Sequence, residues 1–348
     1  MAANRQRLSV TEFDFDEVKD NLKLFMRNQT EFKDYDFEGS GLSALLDVLA
    51  YNTHYLGFNA NMLANEMFLD SSQLRSSVVS HAKTLGYTTR SATASNAVVD
   101  IFLNTTNASA TMPAGTVFSA SVDGVSYQFV TIDDVTAFNS GSNIVFDDIR
   151  IYEGSYVSSR YVADTQNVEQ RFLINDDRAD TTTLSVVVQN SASDTIQTTY
   201  TQATDISALT STSNVYFLQE VESGQYEIYF GDGILGSAIE DGNIIIMQYV
   251  VTNKGAANGA STFTSSSAID TVNSVNVVTV SNAAGGSEPE SIESIKYNAP
   301  LDYASQGRCV TTEDYKTYVK QLFANTQAVS VWGGEDGSYN DVSGVSDV

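Results

Sequence analysis

The chain has 348 residues, more than one core usually holds, so its length favours two or three domains. Hydrophobic residues make up 42% and charged residues 18%, a composition that excludes a disordered or fibrous protein. Only 18 Lys and Arg stand against 43 Asp and Glu, and the resulting net charge of −25 repels phosphate backbones and anionic lipid headgroups, which argues against nucleic-acid and membrane partners.

The residues that usually carry metal and nucleophilic chemistry are scarce. A single cysteine, Cys309, excludes an internal disulfide framework, and two histidines, His54 and His81, leave little for a zinc site or a catalytic triad. No run of 18 apolar residues occurs, and none follows Arg5 and Arg7 near the start. We therefore expect a soluble protein without a signal peptide.

The first predicted elements are three helices. Asp14 or Asp16 can cap a helix that runs through Arg27. The third helix is predicted to start at Asp70 or Ser71 and to stop at Gly86.

Between them, leucines recur every seven residues, and a second row follows four residues behind, as in a coiled coil. This pattern predicts one helix of 26 residues, about 39 Å long, which the short helices beside it cannot cover alone. We therefore predict an interface with helices of other chains, formed by Leu42, Leu46, Leu49, Leu56, Leu63 and Met67.

From residue 91 to 283 the hydrophobic period becomes two and β-branched residues dominate, which predicts a β region built as a sandwich or as packed sheets. Turns are expected at Asp123-Gly124, Gly231-Asp232-Gly233 and Asp241-Gly242, where Asp-Gly pairs tolerate positive φ. The predicted strands are Ala97–Leu103, Val117–Ala120, Tyr127–Thr131, Ile144–Tyr152, Leu184–Gln189, Tyr226–Phe230, Asn243–Val251 and Val275–Val280.

The last segment mixes helix and strand signals. Ser287 and Glu290 fit a capping box that opens a helix through Tyr297, with Pro300 ending or deflecting it. Thr311 and Asp314 open another helix, after which residues 328 to 332 alternate like a strand. No further sheet follows, so we expect that the chain ends inside a domain.

The changes in composition and hydrophobic period near residues 90 and 284 predict an α+β protein of three domains. Residues 1–90 are a segment of long helices, residues 91–283 a mainly antiparallel β domain, and residues 284–348 the start of a small α/β part that is cut short. The acidity is concentrated in the middle domain, which holds 5 basic and 21 acidic residues.

One stretch, Gly231 to Gly236, matches the dinucleotide-binding pattern G-x-G-x-x-G. A dinucleotide site needs a helix after the glycines, whereas strand character resumes at Asn243. Asp232 would also repel a phosphate. We therefore predict a hairpin turn between the strands Tyr226–Phe230 and Asn243–Val251, with no nucleotide bound.

Neighbouring carboxylates occur at Asp133-Asp134, Asp147-Asp148 and Asp176-Asp177, and such pairs can serve glycoside hydrolysis or hold calcium. In a chain with 43 acidic residues, however, adjacent pairs arise by chance and usually form solvated loops. We expect Cys309 to be a buried small hydrophobe rather than a nucleophile, since no histidine follows His81 in the chain to serve as its base. We predict no catalytic residues, no cofactor, no metal site and no small-molecule substrate.

Three longer strings are more specific. They are the run Thr111 to Phe118, which reads TMPAGTVF, the run Tyr226 to Gly236, which reads YEIYFGDGILG, and the run Gly285 to Ile292, which reads GGSEPESI. Together with Gln306 to Tyr315 and Val329 to Glu335, they resemble the baseplate J-like family of contractile-tail proteins, and within it the T4-type baseplate wedge proteins.

This resemblance covers nearly the whole chain and implies a structural subunit of a phage baseplate wedge, assembled in the host cytoplasm and located in the virion tail. It implies that the subunit joins a second copy and another wedge protein in a helical bundle. It also implies that these bundles link wedges in a ring around the tail hub, and that this ring widens when the sheath contracts. Full-length members continue well past residue 348. Two alternatives remain open: a tail-associated glycan hydrolase and an adhesive β-module.

Overall fold

The computed structural model describes residues 14–27, 36, 39–139, 141, 143–167, 169–204, 208–221, 224–306, 308–322, 326 and 328–333. The chain divides into two compact units, up to residue 82 and from residue 83 on. The first is helical, and the second holds the strands and two further helices. The predicted α+β class is confirmed.

In the helical unit, α1 spans Phe15–Arg27, α2 spans Gly41–Glu66 and α3 spans Arg75–Thr84. Asp14 directly precedes α1: its backbone oxygen accepts from Val18 N at 3.0 Å, and its carboxylate accepts from the adjacent Phe15 N at 2.7 Å. An ion pair of 2.6 Å between Lys19 and Asp47 joins α1 to α2.

The start predicted for α3, at Asp70 or Ser71, is wrong: turns occupy the residues after α2, and the helix begins at Arg75. The carboxylate of Glu66 accepts hydrogen bonds from Gln73 N at 2.8 Å and Leu74 N at 3.3 Å, so these amides bond to it before the helix begins. At the other end, Gly86 has a φ of +80°, as predicted.

Strands fill most of the second unit. In the described part of the chain they are β1 (Asn96–Asn104), β2 (Ser109–Met112), β3 (Val117–Val122), β4 (Val125–Val130), β5 (Val135–Phe138), β6 (Asn143–Glu153), β7 (Ser155–Val162), β8 (Phe172–Ile174), β9 (Ala179–Gln189), β10 (Gln197–Gln202), β11 (Val215–Glu220), β12 (Tyr226–Phe230), β13 (Ile244–Val251), β14 (Thr264–Ser265) and β15 (Val275–Ala284).

The first large sheet has the order β14-β3-β4-β6-β1-β15, and β2 pairs with β5 beside it. Strand β1 shows the period of two clearly, because Ala97, Val99, Ile101 and Leu103 are all fully buried while the residues between them are not. A two-residue turn at Asp123-Gly124, both with positive φ, joins β3 to β4 as predicted.

The second sheet has the order β7-β13-β9-β10-β11-β12-β8, and its pairs are antiparallel except β10 with β11. In chain order, the strands of this second sheet, β7 to β13, are inserted between β6 and β14 of the first sheet. Each sheet has its own apolar core, with Phe118, Phe129 and Phe146 in the first and Phe172 and Tyr226 in the second. Residues 91–283 therefore contain two large sheets with separate cores, and the β2-β5 pair.

Gly154 lies where the chain leaves β6 of the first sheet and enters β7 of the second. Its φ is +128°, and a Cβ atom there would lie 2.2 Å from the backbone oxygen of Val251. Two backbones come so close at this point that no side chain fits.

The glycine-rich stretch is not a hairpin, which corrects the prediction. Strand β12 pairs with β11 and β8, whereas β13 pairs with β7 and β9, so residues 231–243 carry the chain across the sheet. The carboxylate of Asp232 accepts hydrogen bonds from Ile234 N and Leu235 N, and these bonds lower the pKa of Asp232. No helix follows the glycines, so the geometry is not that of a dinucleotide site.

Replacing Gly233, whose φ is +84°, by Val should lower the free energy of unfolding by about 1 to 3 kcal/mol, because a β-branched residue is strained there. A Cβ atom would meet only Ala238, at 3.8 Å, so the loss reports backbone strain. Thermal-shift titrations with ATP and NAD should give no stabilisation of the native chain. A saturable stabilisation that Asp232→Ala removes would show a binding loop instead.

Two helices follow the sheets, α4 (Ile292–Ser305) and α5 (Thr312–Leu322). The predicted cap of the first is wrong: Ser291 caps it, accepting a hydrogen bond from Ser294 N. Pro300 lies inside α4 and does not end it, because the fully buried Ile295 and Ala299 hold the helix in place. Residues 328–332, predicted as a strand, form none, since no described strand pairs with them.

The capping box of α5 is confirmed. Asp314 N donates to Thr311 Oγ1 at 3.2 Å, and the Asp314 carboxylate accepts from Thr311 N at 2.8 Å and Val310 N at 3.1 Å. These backbone hydrogen bonds lower the pKa of Asp314.

We expect the Asp314 cap to stabilise α5 above the unfolded-state pKa of about 3.9 and to lose that effect as the pH falls through the lower folded pKa. Protonation removes the charge that the amides bind. A carboxyl NMR titration should therefore give Asp314 a midpoint below 3.9. In Asp314→Asn, the amide signals of α5 should lose this acid dependence, and an unchanged dependence would contradict the assignment.

Candidate assembly interface

Helix α2 is built from a capped start and an apolar body. Ser40 caps it, since its hydroxyl accepts a hydrogen bond from Ser43 N at 3.0 Å. Asp47 and Glu66 are its acidic residues, and it has no Lys or Arg. Asp47 pairs with Lys19 and Glu66 bonds to the entry of α3, and the helix has no Asp, Glu, Lys or Arg between them.

The structure separates the predicted interface residues into two groups. Leu46 is only 4% exposed and packs inside its own chain, and Leu42 is half-buried. Leu56 and Leu63 are 61% and 69% exposed, and Leu49 and Met67 are exposed as well. The exposed part of the leucine seam therefore runs from Leu49 to Met67.

Burial stops abruptly along α2. Ala50 is the last buried residue of the helix, and from Tyr51 to Glu66 no residue is buried on any side. A helix that is apolar around much of its surface is normally covered by neighbours. Among the residues that the structure describes, this half of α2 is covered only in part, and its large apolar side chains stay exposed.

A second apolar face, which the sequence analysis missed, lies opposite the leucine seam. Tyr51 and Phe58 each follow a seam leucine by two residues, which turns them by about 200° around the helix. The exposed residues of this aromatic face are Val48, Tyr51, Tyr55, Phe58 and Met62. The rings of Tyr51 and Tyr55 lie 5.2 Å apart, and a groove of about 450 Å³ extends from them towards Leu56. A search for a second period on the same helix would have found it.

The acidic pairs have structural hydrogen bonds instead of a shared cleft. Asp134 accepts from Ala114 N at 2.7 Å, Asp148 N donates to Asp100 at 2.9 Å, and Asp176 pairs with Arg178 at 3.3 Å. In the described residues no three His, Cys, Asp or Glu side chains gather as metal ligands would. The predicted absence of catalytic, cofactor and metal sites stays a prediction.

The remaining candidates hold ordinary positions. His54 is half-buried in α2, and His81 Nε2 lies 2.9 Å from the backbone oxygen of Glu66, which joins α3 to the end of α2. Cys309 is exposed, so the expectation of a buried cysteine is wrong. No described helix has both the length and the apolar character needed to cross a membrane.

Two family models match the chain. One, described as the helical domain of baseplate wedge protein gp6-like proteins, covers residues 14–87, which contain all three N-terminal helices. The other, the third domain of bacteriophage baseplate wedge protein gp6, covers residues 161–260. Most of the second sheet lies in that range.

The two matched domains thus define a phage baseplate protein. Baseplate wedge protein gp6 of Enterobacteria phage T4 is 32% identical over 351 residues, covering 91% of this chain and 51% of that protein. A chain of the six-fold symmetrised cryo-EM structure of the anti-feeding prophage baseplate is 14% identical. That match covers 88% of this chain and 64% of the other, with a TM-score of 0.29. The chain belongs to the gp6-like family of baseplate wedge proteins, and it spans about half the length of the curated relative it matches.

Proposed function

We propose that this protein is a structural subunit of a contractile-tail phage baseplate wedge and that α2 is its main assembly element. In this proposal α2 joins a helical bundle with a second copy and another wedge protein, and the bundles link wedges in a ring around the tail hub in the virion. Membership of the gp6-like family supports the location. The observation that carries the assembly role is the unburied half of α2 from Tyr51 to Glu66.

The size of the uncovered surface supports this role. Burying one large apolar side chain contributes roughly 1.5 to 3 kcal/mol, so leaving Leu49, Leu56 and Leu63 in water forgoes about 5 kcal/mol. A single partner helix on the leucine seam leaves the aromatic face uncovered, because the two faces lie on opposite sides. Two partner helices are therefore needed, which is the arrangement of a bundle.

In the same proposal, each of the three domains has its own role. Residues 1–90 form the bundle segment, residues 91–283 the β-rich domain, and residues 284–348 start an α/β baseplate J-like domain. The subunit has no enzymatic activity and binds no nucleic acid, membrane or small-molecule substrate. If Asp133→Asn, Asp147→Asn or Asp176→Asn removed a hydrolase activity of the tail without impairing assembly, the enzyme alternative would replace this part.

The assembly proposal is tested by co-expressing the full chain with the other wedge proteins of its phage and measuring the complex by native mass spectrometry. The expected product contains two copies of this chain and one further wedge protein. A chain that stays monomeric with every wedge protein present would overturn the proposal.

A further inference from the structure

A short segment of the second unit, residues 87–95, is buried although it belongs to no helix or strand. We call it the strap. Hydroxyl residues occupy every second position in it, namely Tyr87, Thr89, Ser91, Thr93 and Ser95. Four of them are buried to within 4% exposure, and Thr93 is half-buried. Buried hydroxyls need hydrogen-bond partners, so their partners reveal what the strap holds.

The first two hydroxyls bond to buried carboxylates. Tyr87 Oη lies 3.0 Å from both carboxylate oxygens of Glu290, in the loop before α4. Burial and this carboxylate raise the pKa of Tyr87, so the phenol keeps the proton it donates. Thr89 Oγ1 donates to the carboxylate of Glu220 at the end of β11, and Tyr226 Oη donates to Thr89 O at 3.2 Å. The start of the strap is thus tied to α4 and to the second sheet.

The next two hydroxyls continue the pattern. Ser91 Oγ lies 2.9 Å from Thr181 Oγ1 and accepts a hydrogen bond from Thr181 N at 3.0 Å, in β9 of the second sheet. Thr93 Oγ1 lies 3.0 Å from Gly285 O and 2.7 Å from Ser287 Oγ, directly after β15 of the first sheet. Both sheets therefore hold the middle of the strap.

The last hydroxyl reaches a further element. Ser95 Oγ lies 3.0 Å from Lys254 O and 2.8 Å from Asn258 Oδ1, in and beside the short 3-10 helix Lys254–Ala257 that follows β13. Gly286 packs against this point so closely that a Cβ atom would lie 2.2 Å from Ser95 Oγ. The second glycine of the GGSEPESI string, Gly286, is thus required by its contact with the strap.

Backbone groups of the strap are bonded as well. Ala94 N donates to the carboxylate of Asp180 at 2.7 Å, and burial raises the pKa of that carboxyl. Glu290 N donates to Arg90 O at 3.0 Å, and Thr93 exchanges two hydrogen bonds of 3.1 Å with Ser287. Such extensive bonding is not found in flexible linkers, which leave their backbone to water.

We propose that the strap is a rigid coupling segment that fastens the first sheet, the second sheet and α4 into one cooperative body. Its five hydroxyls bond to partners whose residue numbers range from 181 to 290, so no part of that body can separate until several strap bonds break. The strap begins five residues after the helical unit ends, at residue 82.

Two isosteric variants of the full chain test the coupling. Thr89→Val and Thr93→Val each remove one bonded hydroxyl at nearly constant volume, and Thr88→Val is the matched control because Thr88 is exposed in the same segment. In calorimetry, the native second unit should unfold in one transition. Combining the two strap changes should split that transition or lower its midpoint by several degrees, whereas the control should leave it unchanged.

Trypsin cleavage gives a second measurement, which also applies to the native chain. Cleavage after Arg90, in the middle of the strap, should be at least a hundredfold slower in the native chain than in the unfolded chain. It should become at least tenfold faster in the strap variants than in Thr88→Val. Rapid cleavage of the native chain there, separate transitions of the two sheets in the native chain, or strap variants that match the control would each overturn the coupling. None of these results bears on whether α2 enters a bundle.

Discussion

Changing Leu56 to Asp should abolish assembly with partner chains while leaving the free chain folded. Leu56 is 61% exposed, so in the free chain the change costs only helix propensity, about 0.6 kcal/mol. In a bundle it places a carboxylate in an apolar seam, which should cost about 3 kcal/mol or more and weaken association at least a hundredfold. Analytical ultracentrifugation with the co-expressed wedge proteins measures the loss.

The control is Ile234→Asp, which makes the same chemical change at another exposed apolar residue, 74% exposed and outside the helix. It should assemble like the native chain. If Leu56→Asp assembled equally well, the leucine seam would not be an interface.

The second large effect is expected at Gly154. Replacing it by Ala places a Cβ atom 2.2 Å from the backbone oxygen of Val251 and 2.9 Å from a methyl carbon of Val250, with φ at +128°. The two sheets must shift apart to admit it, so we expect a loss of more than about 3 kcal/mol in the free energy of unfolding, measured by urea titration.

Gly124→Ala is the matched control, because this glycine also has a positive φ, +80°, but no atom lies within 4 Å of its Cβ position. It should cost about 1 kcal/mol from the backbone alone. Equal losses at the two glycines would mean that the close approach of the two chain segments at Gly154 contributes nothing.

Local patterns predicted the elements that depend on local chemistry. The heptad of leucines predicted α2 to within one residue at each end, and the alternation of β1 matched its buried face. The aromatic face of α2 was missed because one seam was enough to predict the helix. The α3 start was missed because its entry depends on Glu66, which belongs to the previous helix.

Strand partners could not be read from the sequence. Strand β12 is followed by β13 in the chain, yet the two are not neighbours, because pairing is decided by contacts between distant residues. The strap was hidden for the same reason. Its alternating hydroxyls are visible as a pattern, but the partners they bond to lie 90 to 203 residues further along the chain. The predicted domain boundary near residue 90 falls inside it.

We propose that both faces of α2 are covered in the assembled baseplate. Single cysteines placed at Leu56, Phe58 and Ile234, each in a Cys309→Ser background, would report this through their rate of alkylation in the free chain and in purified baseplates. We predict at least tenfold protection at positions 56 and 58 on assembly, with position 234 as the reference for an apolar site outside α2. Alkylation at positions 56 and 58 that is as fast in the baseplate as in the free chain would show that no partner covers α2.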